Sequence, residues 1–315
     1  MIVSKFHSPL LAILAGATLF FTACQKDDPP SSADNGKLNL EITDGPSDDP
    51  NVKAVFVTVA EVKIDGQTFS GFSKKTINLM AYQQGNVAAL GLGDIKVGTY
   101  QNITLVLDAQ TDANGGTPGS YVQTIDNVKH PLSATATHSL TATKSFVVTS
   151  GAQTNLVFDF DLRKAVQYQG GAASDQYDFV GSADLQAALR LVVKSDAGSI
   201  GGTAQNNIIN TDKIVAYAYK KGTFNRTVEV QSQNGINFKN AVSSTVVNSN
   251  GEFKLAFMES GDYEVHFAAY KDLNSDDKLD FQGTLIVNSL IDLANLQLAA
   301  RANLQLNITV VGILP

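Results

Sequence analysis

Residues 37–66 read KLNLEITDGPSDDPNVKAVFVTVAEVKIDG, and the fold class follows from the period of this stretch. Leu38, Leu40 and Ile42 alternate with Asn39 and Glu41, the period of two that marks a half-buried strand. Thr43, Asp44, Gly45 and Pro46 then open a turn-rich loop that runs to Pro50, because Gly, Pro and Asp favour turn backbone over ladder pairing. Val55, Val57 and Val59 resume the alternation against Phe56, Thr58 and Ala60. It continues through Val62 and Ile64 to an Asp65-Gly66 pair of the hairpin-turn type.

Outward from this stretch the same signal recurs. Strands are expected at 76–79, 100–107, 145–149, 155–160 and 214–219, and Leu304, Leu306, Ile308 and Val310 alternate as a closing strand. Helical windows are scarce: Leu185, Leu189 and Leu191 in 184–191 suit a helix or a strand equally. Many short strands need a second sheet to bury their apolar face. The expected fold class is therefore all-β, with two Ig-like or transthyretin-like β-sandwich domains after a signal peptide and a flexible tether. The expected organisation is a leader at 1–23, a lipidated tether at 24–36, one sandwich at 37–196 and a second at 197–315. A chain of 315 residues, 43% hydrophobic, is long enough to bury two cores. Its net charge of -7 argues against nucleic acid or an anionic bilayer face as partner, since both require clustered cations. Trp is absent, which weighs against a stacking platform for sugars.

The N-terminus carries the most specific motif. Lys5 precedes the apolar run LLAILAGATLFF at 10–21, too short for a comfortable bilayer span and of the length of a signal-peptide core. Phe21-Thr22-Ala23-Cys24 follows and resembles a bacterial lipobox, with Phe21 where Leu is usual. Cys24 is the only cysteine, and a thiol beside a hydrophobic leader has neither base nor pocket for catalysis. The resemblance implies cleavage before Cys24 and a covalent diacylglycerol and acyl (palmitate-type) lipid on it. Several acyl chains anchor far more firmly than one. Gln25-Lys26-Asp27-Asp28 resembles the export signal of Bacteroidota-type lipoproteins. The expected location is accordingly the outer membrane, lipid-anchored at the cell surface, with its periplasmic face as the alternative. Residues 29–36 show no apolar period and read as a spacer.

Leu40-Glu41-Ile42-Thr43-Asp44-Gly45-Pro46, Val55-Phe56-Val57-Thr58-Val59-Ala60-Glu61-Val62, Ile77-Asn78-Leu79-Met80, Gly98-Thr99-Tyr100 and Phe158-Asp159-Phe160-Asp161 together resemble successive blocks of the bacterial lipoprotein domain-of-unknown-function family 4382, over about residues 36–195. Gly45 departs from the family's usual Ala. The resemblance implies an exported β-domain and brings no catalytic residues. Gly198-Ser199-Ile200-Gly201-Gly202-Thr203-Ala204, the strand at 214–219, the turn at 248–252 and Gly261-Asp262-Tyr263-Glu264-Val265-His266-Phe267 resemble the transthyretin-like, carboxypeptidase-regulatory-type sandwich, over about 197–315. That likeness implies an accessory module.

One loop has the spacing of a cation site. Asp272, Asn274, Asp276 and Asp280 fall at positions one, three, five and nine of a loop, and the Lys278 carbonyl at position seven, the pattern of oxygen ligands around calcium. Asp277 replaces the turn glycine and Gly283 the closing glutamate, so the loop is not an EF-hand. Ca2+ is expected to bind weakly there, at about the millimolar level of extracellular modules, or else the segment is a plain polar loop. His130, His138 and Asp126 lack metal-ligand spacing. Asp159 and Asp161 share a strand face at about 7 Å, a separation a glycosidase could use, with nothing in the sequence to tell acid from base. Asp108, Asp112 and Asn114 read as a turn. Tyr217, Tyr219, Phe224 and Tyr270 are the only loose aromatic row for sugar stacking, and a core role suits them better.

No Gly-x-Ser-x-Gly elbow or dinucleotide fingerprint occurs. The expected function is that of a lipid-anchored, non-enzymatic binding or adhesion module at the cell envelope. Its partners would be the membrane, through the lipid, and a protein or glycan ligand. The alternatives are a structural or assembly component of an envelope complex and, as a minor reading, a glycan-binding or glycan-hydrolysing lipoprotein.

Overall fold

In the strand Asn35–Gly45, Leu38, Leu40 and Ile42 point inward, fully buried, while Lys37 and Asn39 point outward. The computed structural model describes residues 34–45, 49, 51–132, 137–169, 176–231, 236–275 and 279–315. The leader, Cys24, most of the 24–36 tether, and Asp276, Asp277 and Lys278 of the 272–280 loop lie outside the described residues. From Asp34 onward the described residues belong to one compact unit. Its architecture is all-β, as the alternating pattern predicts.

Asn35–Gly45 lies in the middle of a four-stranded sheet. It pairs in parallel with Gln153–Asp161 and antiparallel with Ala88–Lys96, and Leu189–Val193 closes the far edge on Gln153–Asp161. A seven-stranded sheet faces it, built around Val52–Ile64, Gly98–Asp108 and Thr137–Val148. Between the sheets, Leu38, Leu40, Ile42, Val57, Val59, Leu105, Leu140, Phe158 and Phe160 form one continuous core. Two sheets, the four-stranded one mixed and the seven-stranded one antiparallel, each with one apolar face, meet here as a sandwich. The strand reading through Gly45 corrects the expected loop start at Thr43. Thr43 stays in the ladder because its hydroxyl bonds the carbonyls of Tyr82 and Asn86, both at 2.8 Å.

The eight strands between residues 198 and 314 form a separate sheet of their own. Its terminal strands, Ser243–Val246 and Glu252–Met258, also touch, so the sheet rolls around an inner core of Ala216, Ala218, Val265, Phe267, Leu306 and Ile308. Alternate residues of the same strands, Val215, Tyr217, Tyr219, Ala268 and Tyr270, face the other way, under a cover that includes Phe238 and Ala241. Asn303–Leu314, expected as a closing strand, is interior to the sheet. It pairs in parallel with Gly198–Gln205 and antiparallel with Asp280–Ser289. The ambiguous 184–191 window resolves into both alternatives, a short helix Ser182–Ala187 and then the strand Leu189–Val193. Ile236, from the C-terminal half, packs into the N-terminal core.

Candidate functional site

Where strand Gln153–Asp161 ends, the chain turns into a one-turn helix, Leu162–Ala165, carrying Arg163 and Lys164. This places two cations directly after Asp161. Asp161 is 9% exposed and Arg163 5%, and the Arg163 guanidinium lies 3.2 Å from Asp161 Oδ2, with Lys164 Nζ at 3.5 Å. Burial pushes the Asp161 carboxyl up, but Arg163 and Lys164 together outweigh it and hold the carboxyl below its ordinary range. Burial also lowers the Lys164 ammonium, with Asp161 opposing.

The same two cations reach the C-terminal half. Arg163 Nη1 donates to the carbonyls of Asn237, at 2.6 Å, and Phe238, at 3.1 Å, and Lys164 Nζ donates to the Ala241 carbonyl. Arg163 also sits over the Tyr217 ring, 5.2 Å from its centroid. Arg190 repeats the arrangement one strand away, bonding Asp159 Oδ2 at 2.5 Å and the Phe257 carbonyl at 2.8 Å. Lys144 with Glu259 and Lys239 with Asp184, at 2.8 Å, complete the junction. Charged groups as buried as Asp161 and Arg163 survive only when paired and hydrogen-bonded; the ion pairs of Asp159 and Asp161 lie within the N-terminal half, and the hydrogen bonds of Arg163, Lys164 and Arg190 to carbonyls cross to the C-terminal half.

Between the halves lies a cleft of about 730 Å³, walled by Asp44, Asp161, Lys164 and Arg190 on one side and by residues 239–245 with Lys254, Ala256, Phe257 and Glu259 on the other. Asp44 is the deepest acid. Its Oδ1 accepts the Leu162 N–H at 3.1 Å and its Oδ2 a long contact from Gln83 at 3.4 Å. Burial pushes its carboxyl well above the ordinary range, and Asp161 adds to the rise. The sequence singled out Asp159 and Asp161 but not Asp44, read there as a turn residue. The available signal was an acid placed just past an alternating strand whose parallel partner ends in Asp-Leu-Arg-Lys.

The remaining sequence candidates fall elsewhere. Tyr217 and Tyr219 are fully buried and Tyr270 is 3% exposed, so three of the four aromatics considered for sugar stacking are core. Tyr217 stacks on Phe238 at 4.3 Å, and the Tyr219 hydroxyl donates to buried Glu229 at 2.8 Å. His266 lies on the face opposite Val265 and Phe267, stacked 3.6 Å from Phe224 and 3.3 Å from Glu264. His130 and His138 pack edge-on against Tyr177 and Phe179. Asp108 Oδ1 accepts the Gln110 and Thr111 amides, and Asp112 Oδ1 those of Asn114 and Gly116, the self-bonded turns expected of Asp. In the 272–280 loop, Asp272 Oδ1 accepts the Ser275 N–H at 2.6 Å and Asp280 Oδ2 the Leu273 N–H at 3.3 Å.

Among solved structures the chain is similar, at low identity, to a leucine-rich repeat protein from Bacteroides thetaiotaomicron (11% identical, 86% of this chain and 26% of that one, TM-score 0.20). It is also similar to the TIE protein of Bacillus anthracis (10%, 88% and 34%, TM-score 0.19) and to the minor pilin GBS52 of Streptococcus agalactiae (11%, 88% and 98%, TM-score 0.19). The chain spans about a quarter to a third of the length of the first two. No curated protein matches the chain significantly in sequence. The family match lies over the N-terminal sandwich, whose four-stranded sheet runs on past the matched residues to Leu189–Val193. Residues 35–180 of this chain match the model of the family described as Domain of unknown function (DUF4382).

Proposed function

We propose that this chain is a lipid-anchored, non-enzymatic binding or adhesion module of the bacterial cell envelope, held by acyl chains on Cys24 and displayed at the outer-membrane surface. The observation that supports it is the junction: Asp159, Asp161 and Asp44 are each committed to a cation or a backbone amide. Arg163, Lys164 and Arg190 in turn bond carbonyls of the C-terminal half, so the two β-halves form a stiff body whose acids fix geometry instead of cycling protons. A rigid scaffold on a flexible tether presents loops and clefts to a partner. Residues 197–315 serve in this reading as the accessory module that their transthyretin-like pattern implies, and the 272–280 loop as a weak Ca2+ site that stiffens it.

The test expresses the full chain in a diderm bacterium. Wild type should fractionate with the outer membrane, be removed by protease added to intact cells, and make those cells adhere to a matrix- or cell-coated surface. Cys24→Ala should release the protein from the membrane and abolish adherence. Adherence unchanged by removal of the whole chain sinks the adhesion reading.

A glycan-hydrolysing reading has one observation in its favour. Burial raises the Asp44 carboxyl while Arg163 and Lys164 hold Asp161 low, both on the wall of one cleft, and environments that push two carboxyls apart in this way can mark an acid and base pair. It ranks second because Asp44 is 6% exposed and hydrogen-bonded in place. Release of reducing ends from a polysaccharide, lost in Asp44→Asn, would promote it.

A further inference from the structure

We infer that the end of the N-terminal sandwich that carries Asp34 rests on a zwitterionic lipid surface, with Val97 and Val147 as its contact points. This rests on the lipid-anchored reading above and adds the face of the protein that the membrane meets.

The covalent path sets the reach. Ten residue steps lead from Cys24 to Asp34, at most about 35 Å when fully extended and about 18 Å as the root-mean-square span of a flexible chain. The end of the fold at which Asp34 enters is therefore held close to the surface in which Cys24 is anchored. Two turns flank that entry. The Val97 N–H donates to the Asp34 carbonyl at 2.9 Å, and the Gly151 N–H to the Asn35 carbonyl at 3.0 Å. Each turn brings an exposed apolar side chain: Val97 is 45% exposed, and Val147, on the strand leading into the second turn, 57%. Gly98 pairs with Val148 and Thr99 with Val147, so the two valines stand on neighbouring strands at the same end of the sheet.

Their surroundings suit a bilayer interface. Tyr100, half-buried, stacks on Phe146 at 5.5 Å and donates its hydroxyl to the Lys96 carbonyl at 2.8 Å. Lys37 is paired with Asp94, whereas the exposed Lys96 has no ion pair among the described residues. Apolar side chains enter the boundary between headgroups and acyl chains, an amphipathic ring lies at its level, and a long cation reaches phosphate. The exposed Asp34 suits the headgroup's ammonium, and the net charge of -7 disfavours an anionic sheet. Two valines make a weak contact by themselves. The tether makes that contact intramolecular, so a high effective concentration offsets its weakness. Single exposed apolar residues are ordinary on any surface, and what distinguishes these is their place beside the anchor. Ile125, 58% exposed, lies at the opposite end of the same sandwich, where its N–H donates to Asn51 just before strand Val52–Ile64 begins.

The chain has no Trp, so one introduced Trp is a unique fluorescent reporter. The full lipidated chain is reconstituted in phosphatidylcholine vesicles whose acyl chains are dibrominated, which quench a Trp that enters them. Emission of Val97→Trp and Val147→Trp should fall at least twofold relative to unbrominated vesicles, and that of Ile125→Trp should not. Ile125→Trp controls for the lipid affinity that Trp itself brings. Adding Val147→Glu to Val97→Trp should restore emission while the chain still floats with the vesicles. All four substitutions fall on exposed side chains, and melts matching wild type check that the variants fold. Emission unquenched at 97 and 147 in a chain that floats, equal quenching at 125, or quenching that outlasts Val147→Glu overturns the docking face and leaves the anchor reading standing. A chain that does not float with the vesicles removes the anchor and the docking face together.

Discussion

Asp44 and Arg163 show how much of the junction rests on single side chains. The Asp44 carboxyl is raised in the folded protein, chiefly by burial. Its folded pKa lies above its unfolded one, so its contribution to stability is complete below the unfolded value and is lost as pH rises through the folded one. Asp44→Asn keeps an acceptor for the Leu162 amide without an ionisable proton. We predict that thermal melts of Asp44→Asn and wild type nearly coincide at about pH 4, and that the variant melts higher on the alkaline side. Parallel curves across the range would remove Asp44 from the pH response. Arg163 has the opposite role. Arg163→Met strips the cation from a buried Asp161 and the donor from two carbonyls, and should cost about 3–5 kcal/mol in denaturant unfolding. A loss under about 1 kcal/mol, within the range of an exposed pair, would mean that Lys164 alone satisfies Asp161. At this scale the sequence was half legible. The Asp159 and Asp161 spacing was visible, but Arg190 reaches Asp159 only because an antiparallel partner strand brings it opposite, and no local pattern encodes that register.

At the scale of elements, alternation carried most of the fold. Gln153–Asp161 and Lys213–Lys220 contain the strands expected at 155–160 and 214–219, since one buried face imposes a strict period of two. Short edge pieces such as Lys129–Pro131 and Gln176–Phe179 were not read, because three or four residues barely display a period and no recognised block marks these as one marks 76–79. The position of Asn303–Leu314 inside its sheet was also hidden, since strand order depends on long-range pairing. That pairing has a specific requirement at Gly202, whose φ is +150° and where a Cβ would fall 1.7 Å from the Leu306 carbonyl oxygen. Gly202→Ala should therefore break the parallel pairing with Asn303–Leu314, and its soluble yield or melting temperature should collapse; a near wild-type melt would contradict the close approach. For the 272–280 loop, millimolar calcium should raise the melting temperature of wild type but not of the Asp272→Ala, Asp276→Ala double variant, by mass action on the folded state. Identical melts with calcium and with chelator would make it a polar loop only.

For the whole molecule, the two-sandwich pattern carries no sign of how closely the halves are tied. Two runs of strands with separate turn signals read equally well as independent beads or as one body. The tie is made by long side chains crossing a boundary, Arg163, Lys164 and Arg190 onto backbone carbonyls, and by Ile236 entering the other half's core. Cooperative unfolding of the halves follows if those contacts carry free energy comparable to that holding either half alone. Differential scanning calorimetry of residues 34–315 tests this directly. A single transition is predicted, with calorimetric and van't Hoff enthalpies equal, and Arg163→Met should broaden or split it. Two resolved transitions in the wild-type protein would contradict the account: the halves would then be independent modules, and the cleft between them a gap instead of a built site.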